Sequence, residues 1–134
     1  MASREEVLAI IDNAYAARAR GDKAAVDQIW APGATYQMVG EASLMRAYPV
    51  GPGHAETATH AIIDLFTFHD FKRIDSIVEG NRAAILIRVT LSTATHEPRE
   101  TMLYDLWELD DDGKVKSVIQ FTDTALVSSM MHAV

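Results

Sequence analysis

The opening segment of the chain carries the signals of an amphipathic helix. Ser3 and Glu6 have the spacing of a capping box, in which each side chain bonds a backbone N–H of the other residue. From Val7 to about Arg20, apolar side chains recur every three or four residues and so share one face. Gly21 can adopt the left-handed conformation that commonly ends a helix. The pattern therefore predicts a first helix that begins after Ser3 and ends before Gly21.

Shorter elements are predicted between this helix and the middle of the chain. Asp22 can cap a second helix that ends near Trp30, where Ala31-Pro32-Gly33 breaks the helical pattern. A short strand is expected at Ala34–Val39. A long loop with one helical turn around Ser43–Tyr48 should follow at Gly40–Gly53, and a third helix should run from Ala55 to about Phe66. Because long loops often border sites, this loop is expected to lie beside one.

The second half of the chain has the two-residue alternation of β-strands. Four apolar residues, Ile85, Ile87, Val89 and Leu91, alternate with Leu86, Arg88 and Thr90, which gives one purely apolar strand face. The four predicted strands are Phe71–Glu79, Ala83–Thr95, Glu100–Leu109 and Lys114–Ala125. Short turns are expected between them at Gly80-Asn81, His96–Arg99 and Asp110–Gly113. Each strand should therefore pair antiparallel with the next.

Helices followed by consecutive antiparallel strands are typical of the α+β class, in which the helices pack on one face of a curved sheet. A strongly bent sheet closed by helices forms a cone with a pocket inside. Every second strand residue then lines that pocket. No repeat, low-complexity tract or linker interrupts the chain. Residues 1–134 are expected to form one domain.

The composition of the chain limits the binding partners and the kinds of chemistry that are expected of it. Lys and Arg number 12 against 19 Asp and Glu, a net charge of −7 that argues against nucleic acid and anionic membranes as partners. The absence of Cys excludes disulfides, thiol nucleophiles and Cys-based zinc sites. No apolar stretch precedes a cleavage site near the N-terminus, so a cytoplasmic protein with no membrane partner is expected.

Asp105 is the candidate catalytic residue. It lies in the otherwise apolar segment Met102–Leu109, although strands disfavour Asp and an unpaired buried charge is expensive. Either backbone N–H groups, Tyr15 or an Arg satisfy the carboxylate, or it lines a cavity where a perturbed carboxyl group is useful. Alternation places the predicted ligand-binding residues on the Asp105 face or opposite it, and they are Tyr15, Tyr36, Met38, Leu103, Trp107, Val118, Gln120 and Thr122.

Other polar and aromatic residues have simpler interpretations. Asp123 follows the inward-facing Thr122, so it is expected to point outward at a bulge or a subunit contact. Trp30 and Trp107 are expected to be core aromatics, with a stacking surface for a ligand as the second interpretation of Trp107. The 5 His residues have neither the i, i+4 pair of a helical zinc motif nor a convergent spacing. No metal site and no cofactor is therefore predicted.

Segments spread over the whole chain resemble the nuclear transport factor 2-like superfamily, which includes SnoaL-like polyketide cyclases, ketosteroid isomerases and limonene epoxide hydrolases. The segments that carry the resemblance are the first helix with Tyr15, Gly21-Asp22, Trp30–Tyr36, Tyr104–Leu109, the hairpin Asp112–Val115 and Gln120–Ala125. The resemblance implies a cystatin-like cone that encloses a pocket. It implies less about the reaction, because this fold carries unrelated chemistries and also proteins without activity.

Comparison with the ketosteroid isomerases matches one functional position of three. Asp105 stands where those enzymes hold a protonated Asp in their oxyanion hole. Their general base falls at Met38, whose thioether cannot accept a proton, and their oxyanion Tyr falls at Ala14, one residue before Tyr15. The resemblance therefore does not imply a standard ketosteroid isomerase.

The limonene epoxide hydrolases match no better. Gln120 replaces the Asp that activates water in those enzymes, and a Gln cannot deprotonate water. Leu103 occupies the place of their Arg two residues before the strand Asp. Among these relatives, the chain is most similar to the SnoaL-like group.

Three hypotheses for function follow. The first is a SnoaL-like enzyme that isomerises, cyclises or hydrates an apolar small molecule without a cofactor, with Asp105 as proton carrier or hydrogen-bond donor. The second is a binding protein without turnover, and the third is a dimeric structural or partner-binding domain whose cone is filled by side chains. A homodimer is expected through the outer sheet face, because Leu86, Met102, Tyr104 and Leu106 form an apolar surface there.

Overall fold

The computed structural model describes residues 2–40 and 55–131. The helices in this part of the chain are α1 (Arg4–Arg20), α2 (Lys23–Asp27), α3 (Ala55–Leu65) and α4 (Thr124–Met131). The strands are β1 (Trp30–Met38), β2 (Thr67–Glu79), β3 (Arg82–Thr93), β4 (His96–Leu109) and β5 (Val115–Phe121). The predicted loop Gly40–Gly53, its helical turn Ser43–Tyr48, and the residues His54 and His132 lie outside the described residues, apart from Gly40.

The first helix forms as the sequence predicts. Ser3 and Glu6 make both hydrogen bonds of the capping box, each 3.2 Å long. Gly21 ends the helix with φ of 68°, a left-handed conformation that costs glycine little. Val7 and Ile11 are fully buried on the inner face of α1, so this helix is held by its apolar stripe.

The five strands form one mixed sheet in the order β1-β5-β4-β3-β2. Strands β2 to β5 pair antiparallel with their neighbours in sequence, as predicted, and β1 joins the edge of β5 in parallel. Register shifts in all four strand pairs mark bulges or irregularities that curl the sheet without closing it. The α+β class with helices on a curled sheet is therefore confirmed.

The core lies between the helices and the inner face of the sheet. The apolar row Ile85, Ile87, Val89 and Leu91 of β3 is buried there, as its alternation predicts. α1 packs on β2, α3 on β1 and α4 on β3. None of the described helices is both long and apolar enough to cross a membrane.

The turn between β3 and β4 and the start of β2 differ from the prediction. The turn predicted at His96–Arg99 is wrong, because β4 begins at His96 and Thr93 pairs with His96 around Ala94-Thr95. Pro98 fits in this strand because it lies where two residues of β4 oppose one residue of β3, and a bulge needs no ladder hydrogen bond from Pro. β2 begins at Thr67, four residues earlier than predicted.

The end of the chain and the second helix also differ from the prediction. β5 ends at Phe121, and the residues predicted to extend it to Ala125 instead begin α4. Asp123 is exposed, as predicted, and its carboxylate accepts the N–H of Leu126 at 3.1 Å, so that it caps α4. The predicted role at a subunit contact stays a prediction. The helix α2 ends at Asp27 and β1 already begins at Trp30.

Candidate functional site

A cavity of about 80 Å³ lies between the helices and the inner face of the sheet. Its wall contains all nine residues that the sequence predicted for the site, which are Tyr15, Tyr36, Met38, Leu103, Asp105, Trp107, Val118, Gln120 and Thr122. The rest of the wall is mostly apolar and comes from all four helices and from β1 to β3. The structure thus brings the predicted residues together, and their binding role stays a prediction.

The pleat of β4 explains how the sequence places these groups. Leu103, Asp105 and Trp107 occupy every second position and are buried, whereas the intervening Tyr104 is exposed on the outer face. Asp105 is the cross-strand partner of Gln120 on β5. The two side chains therefore stand next to each other on the cavity wall.

Asp105 is buried, with 1% of its surface exposed, and one of its oxygens has a hydrogen-bond partner. The Tyr15 hydroxyl donates to Oδ2 at 2.5 Å. That hydroxyl in turn accepts the Nε1–H of Trp107 at 3.1 Å, so both functions of the Tyr15 oxygen are used. Oδ1 of Asp105 has no hydrogen-bond partner among the described residues. Tyr15 therefore bonds one oxygen of a carboxyl group that belongs to the cavity wall.

Burial raises the pKa of Asp105 from 3.8 to about 7, and the hydrogen bond from Tyr15 and the neighbouring Gln120 offset part of that shift. Gln120 lowers the pKa of Asp105 as a hydrogen-bonding amide beside the carboxyl group, although it does not reach Oδ1 with the geometry of a full hydrogen bond. Burial and the Asp105 carboxylate raise the pKa of Tyr15 well above its ordinary value, so Tyr15 keeps its proton. Asp105 is therefore the group in this pair that exchanges a proton near neutrality.

Gln120 is held by a second tyrosine. The Tyr36 hydroxyl donates to Oε1 of Gln120 at 2.5 Å, which fixes the orientation of the amide. Met38 pairs with Gln120 across β1 and β5 and is buried in the same wall. A thioether thus occupies the position next to Gln120, and it offers no group that can remove a proton.

Arg18 is a charged residue of the wall that the sequence reasoning did not assign to the site. Its Nη2 donates to the carbonyl oxygens of Ile62 at 3.2 Å and Phe66 at 2.8 Å. Burial lowers the pKa of Arg18 to about 10, which leaves the guanidinium charged at neutral pH. The sequence feature that points to Arg18 as a site residue is its position three residues after Tyr15, on the same face of α1.

Trp30 and Thr122 add two more polar atoms without partners. Trp30 is half-buried on the cavity wall rather than sealed in the core. Its Nε1 and the Thr122 Oγ1 have no hydrogen-bond partner among the described residues. Leaving each such group unsatisfied costs about 1–3 kcal/mol. Oxygen atoms of a ligand can remove that cost, because an indole N–H only donates and a hydroxyl can do either.

The described residues contain no group of three or more His, Asp or Glu side chains that could hold a metal ion. Two of the described His residues are engaged outside the cavity, His60 with Asp27 at 2.7 Å and His69 with Ser92 at 2.6 Å. The cavity wall carries Asp105 as its one carboxylate within the described part of the chain. The described residues of this wall can donate a proton or a hydrogen bond from one buried carboxyl group.

A family model described as the SnoaL-like domain matches residues 11–118. The match covers most of the chain and includes seven of the nine predicted site residues, with Gln120 and Thr122 beyond its end. Among curated proteins, no sequence matches the chain significantly.

Solved structures with the same fold come from bacteria and fungi. An NTF2-like protein of unknown function from Burkholderia pseudomallei is 16% identical with a TM-score of 0.75, over 96% of this chain and 98% of that chain. An LEH-like epoxide hydrolase from M. tuberculosis is 15% identical with a TM-score of 0.71, over 95% and 90% of the two chains. AusH from Aspergillus nidulans is 17% identical with a TM-score of 0.70, over 92% and 87%. At these identities the similarity shows the fold alone.

Proposed function

The chain belongs to the SnoaL-like domain family, and we propose that its cavity binds a small, largely apolar molecule through a ligand oxygen that accepts a hydrogen bond from Asp105. The observation that carries this proposal is Oδ1 of Asp105, a buried oxygen without a hydrogen-bond partner among the described residues, in a side chain that lines an apolar cavity. With its pKa raised to about 7, the carboxyl group keeps its proton at mildly acidic pH. A neutral carboxyl group donates to an oxygen, whereas a carboxylate only accepts.

This hydrogen bond would supply one part of a cofactor-independent isomerisation or cyclisation, the stabilisation of the substrate oxygen, while the base that removes the proton is not among the other described residues of the wall. In such reactions negative charge develops on a carbonyl oxygen, and a donor in an apolar site stabilises that charge more than water does. Asp105 would supply the donor, Tyr15 would hold the carboxyl group in place, and Gln120 would orient the substrate. A hydration reaction would use the same carboxyl group as the proton carrier.

The proposal is tested with a pair of probes that differ by one oxygen. Cyclopentanone has a carbonyl oxygen, and methylenecyclopentane has nearly the same shape without it. The wild type should bind cyclopentanone several-fold to about tenfold more tightly, the worth of one hydrogen bond to a buried group. Asp105→Leu should lose this preference, while Asp112→Leu in the exposed hairpin should keep it. Titrations followed by NMR measure both affinities.

Two outcomes would contradict the proposal. One is a wild type that binds both probes equally. The other is an Asp105→Leu variant that melts several degrees lower, as expected when Tyr15 loses its partner, yet keeps the preference for cyclopentanone. In the latter case Asp105 has only a structural role.

A second candidate is a binding protein without turnover. It is favoured by the composition of the wall, where no Asp, Glu or His other than Asp105 occurs among the described residues. Proton removal from carbon requires a base, and Met38 cannot supply one. Tight binding of a ketone without formation of any product would select this candidate.

We also propose that the protein assembles as a homodimer through the outer face of the sheet. Met102 and Tyr104 on β4 and Phe121 on β5 are 45%, 40% and 42% exposed there, and Tyr104 is the cross-strand partner of Phe121. Neighbouring Leu86 and Leu106 are half-buried. Adjoining apolar side chains of this kind mark interaction surfaces.

A further inference from the structure

Arg18 is a charged group on the cavity wall that the proposed function leaves unused. No Asp or Glu in residues 2–40 and 55–131 forms an ion pair with it. Its Nη2 bonds two backbone carbonyls, and its guanidinium carbon lies 4.0 Å from the centre of the Phe68 ring. Within the described part of the chain, Nε and Nη1 make no hydrogen bond, so their N–H groups are available to a ligand.

The surroundings of Arg18 neutralise its charge only in part. Ile62 lies in the last turn of α3 and Phe66 directly follows the helix, so both carbonyls belong to its negative end. A helix terminus carries about half of an elementary charge, less than the full charge of a guanidinium. The Phe68 ring adds a weaker cation–π attraction. A partly buried positive charge without an acidic partner is costly, and an anion beside it would remove that cost.

We propose that the cavity selects ligands with a carboxylate, which Arg18 binds, on an otherwise apolar body. The inference rests on the proposed small-molecule function and adds the charge of the ligand. Arg18 and Tyr15 lie one turn apart on the same face of α1, and Tyr15 bonds Asp105. The cavity therefore offers two oxygen-binding points on a mainly apolar wall, a cationic one at Arg18 and a carboxyl group at Asp105.

The test compares cyclopentanecarboxylate with cyclopentanecarboxamide, which share a ring and nearly the same shape but differ in charge. Sodium chloride equalises the ionic strength, and NMR titrations give the dissociation constants. The wild type should bind the carboxylate on the order of tenfold more tightly. Arg18→Met should abolish the difference, and Arg18→Lys should keep part of it because the charge remains. Arg20→Met is the matched control on the same helix, since Arg20 is exposed and pairs with Asp22.

Equal binding of the two probes by the wild type would overturn the inference and leave the small-molecule function intact. A carboxylate preference that survives in Arg18→Met would also overturn it. Failure of the wild type to bind either probe would instead count against the small-molecule function itself. If Arg18→Met does not fold, because α1 loses its bonds to α3, the wild type and Arg18→Lys still decide.

Discussion

Asp105 makes the stability of this protein depend on pH in an unusual direction. Its pKa is about 7 in the folded protein and about 4 in an unfolded chain. Between these values the folded protein keeps a proton that the unfolded chain releases. The free energy of unfolding therefore falls as the pH rises from about 4 to about 7, and above that range the folded protein carries the full cost of the buried charge.

Asp105→Asn should remove this pH dependence, because an amide does not titrate. The variant should gain stability relative to the wild type as the pH rises, by at most about 4 kcal/mol for a shift of this size. Urea denaturation at about pH 5 and about pH 8 measures the difference. Asp112→Asn in the exposed hairpin is the control. Parallel pH profiles for Asp105→Asn and the wild type would contradict the buried, protonated carboxyl group.

Tyr15→Phe tests the hydrogen-bond chain of the cavity wall. The change removes the donor to Asp105 and the acceptor of the Trp107 N–H, and both partners stay buried. We expect a loss of about 1–3 kcal/mol in the free energy of unfolding. The pKa of Asp105 should rise further, because Tyr15 lowers it in the wild type. Thr57→Val, at an exposed position of α3, is the control, and an equal cost for both variants would count against the hydrogen bonds of Tyr15.

The sequence identifies site residues on strands more completely than those on helices. Alternation fixes that Leu103, Asp105 and Trp107 share a face, because the strand period is two whatever the rest of the fold. The place of Arg18 depends instead on carbonyls 44 and 48 residues away on and after α3. Trp30 packs against the core, as predicted, but it is only half-buried and begins the strand β1, which was expected after the Pro32-Gly33 break.

α4 is the element that the strand prediction missed. It follows β5 and buries Val127 and Met130 against the core, with Val127 on the cavity wall. The signal was an N-cap Asp123 followed by apolar residues at helical spacing, and the preceding alternation of β5 concealed it. Local patterns predict whether a segment is a helix or a strand, but they do not show the residue at which strand periodicity ends and helical periodicity begins.

Asp123→Ala tests the capping role. Without the bond to the Leu126 N–H, α4 should lose stability, and the free energy of unfolding should fall by about 0.5–2 kcal/mol. Asp112→Ala is the matched control, because its carboxylate makes no hydrogen bond with the described residues. Chemical denaturation of both variants measures the effect. A cost for Asp123→Ala no larger than that of the control would show that the cap contributes nothing.

The proposed dimer joins the outer faces of two sheets and leaves each cavity on the opposite side. Sedimentation at tens of micromolar, roughly the range in which a standard-size interface holds, should show a dimer. Met102→Lys should shift the protein toward the monomer, because a charge would be buried in the interface. Asn13→Lys on α1 is the control of equal charge. A wild type that sediments as a monomer would contradict this assembly.

The proposed binding of a ligand oxygen in the cavity depends on the protonation state of Asp105. The pKa of its carboxyl group is measured by a ¹³C NMR titration, with Asp105→Asn to identify the signal. We predict a pKa near 7 in the free protein. Saturating cyclopentanone should raise it further, because a hydrogen bond donated to the ketone favours the neutral form. A pKa near 4, the ordinary value for Asp, or a pKa that cyclopentanone does not move, would contradict the proposed function.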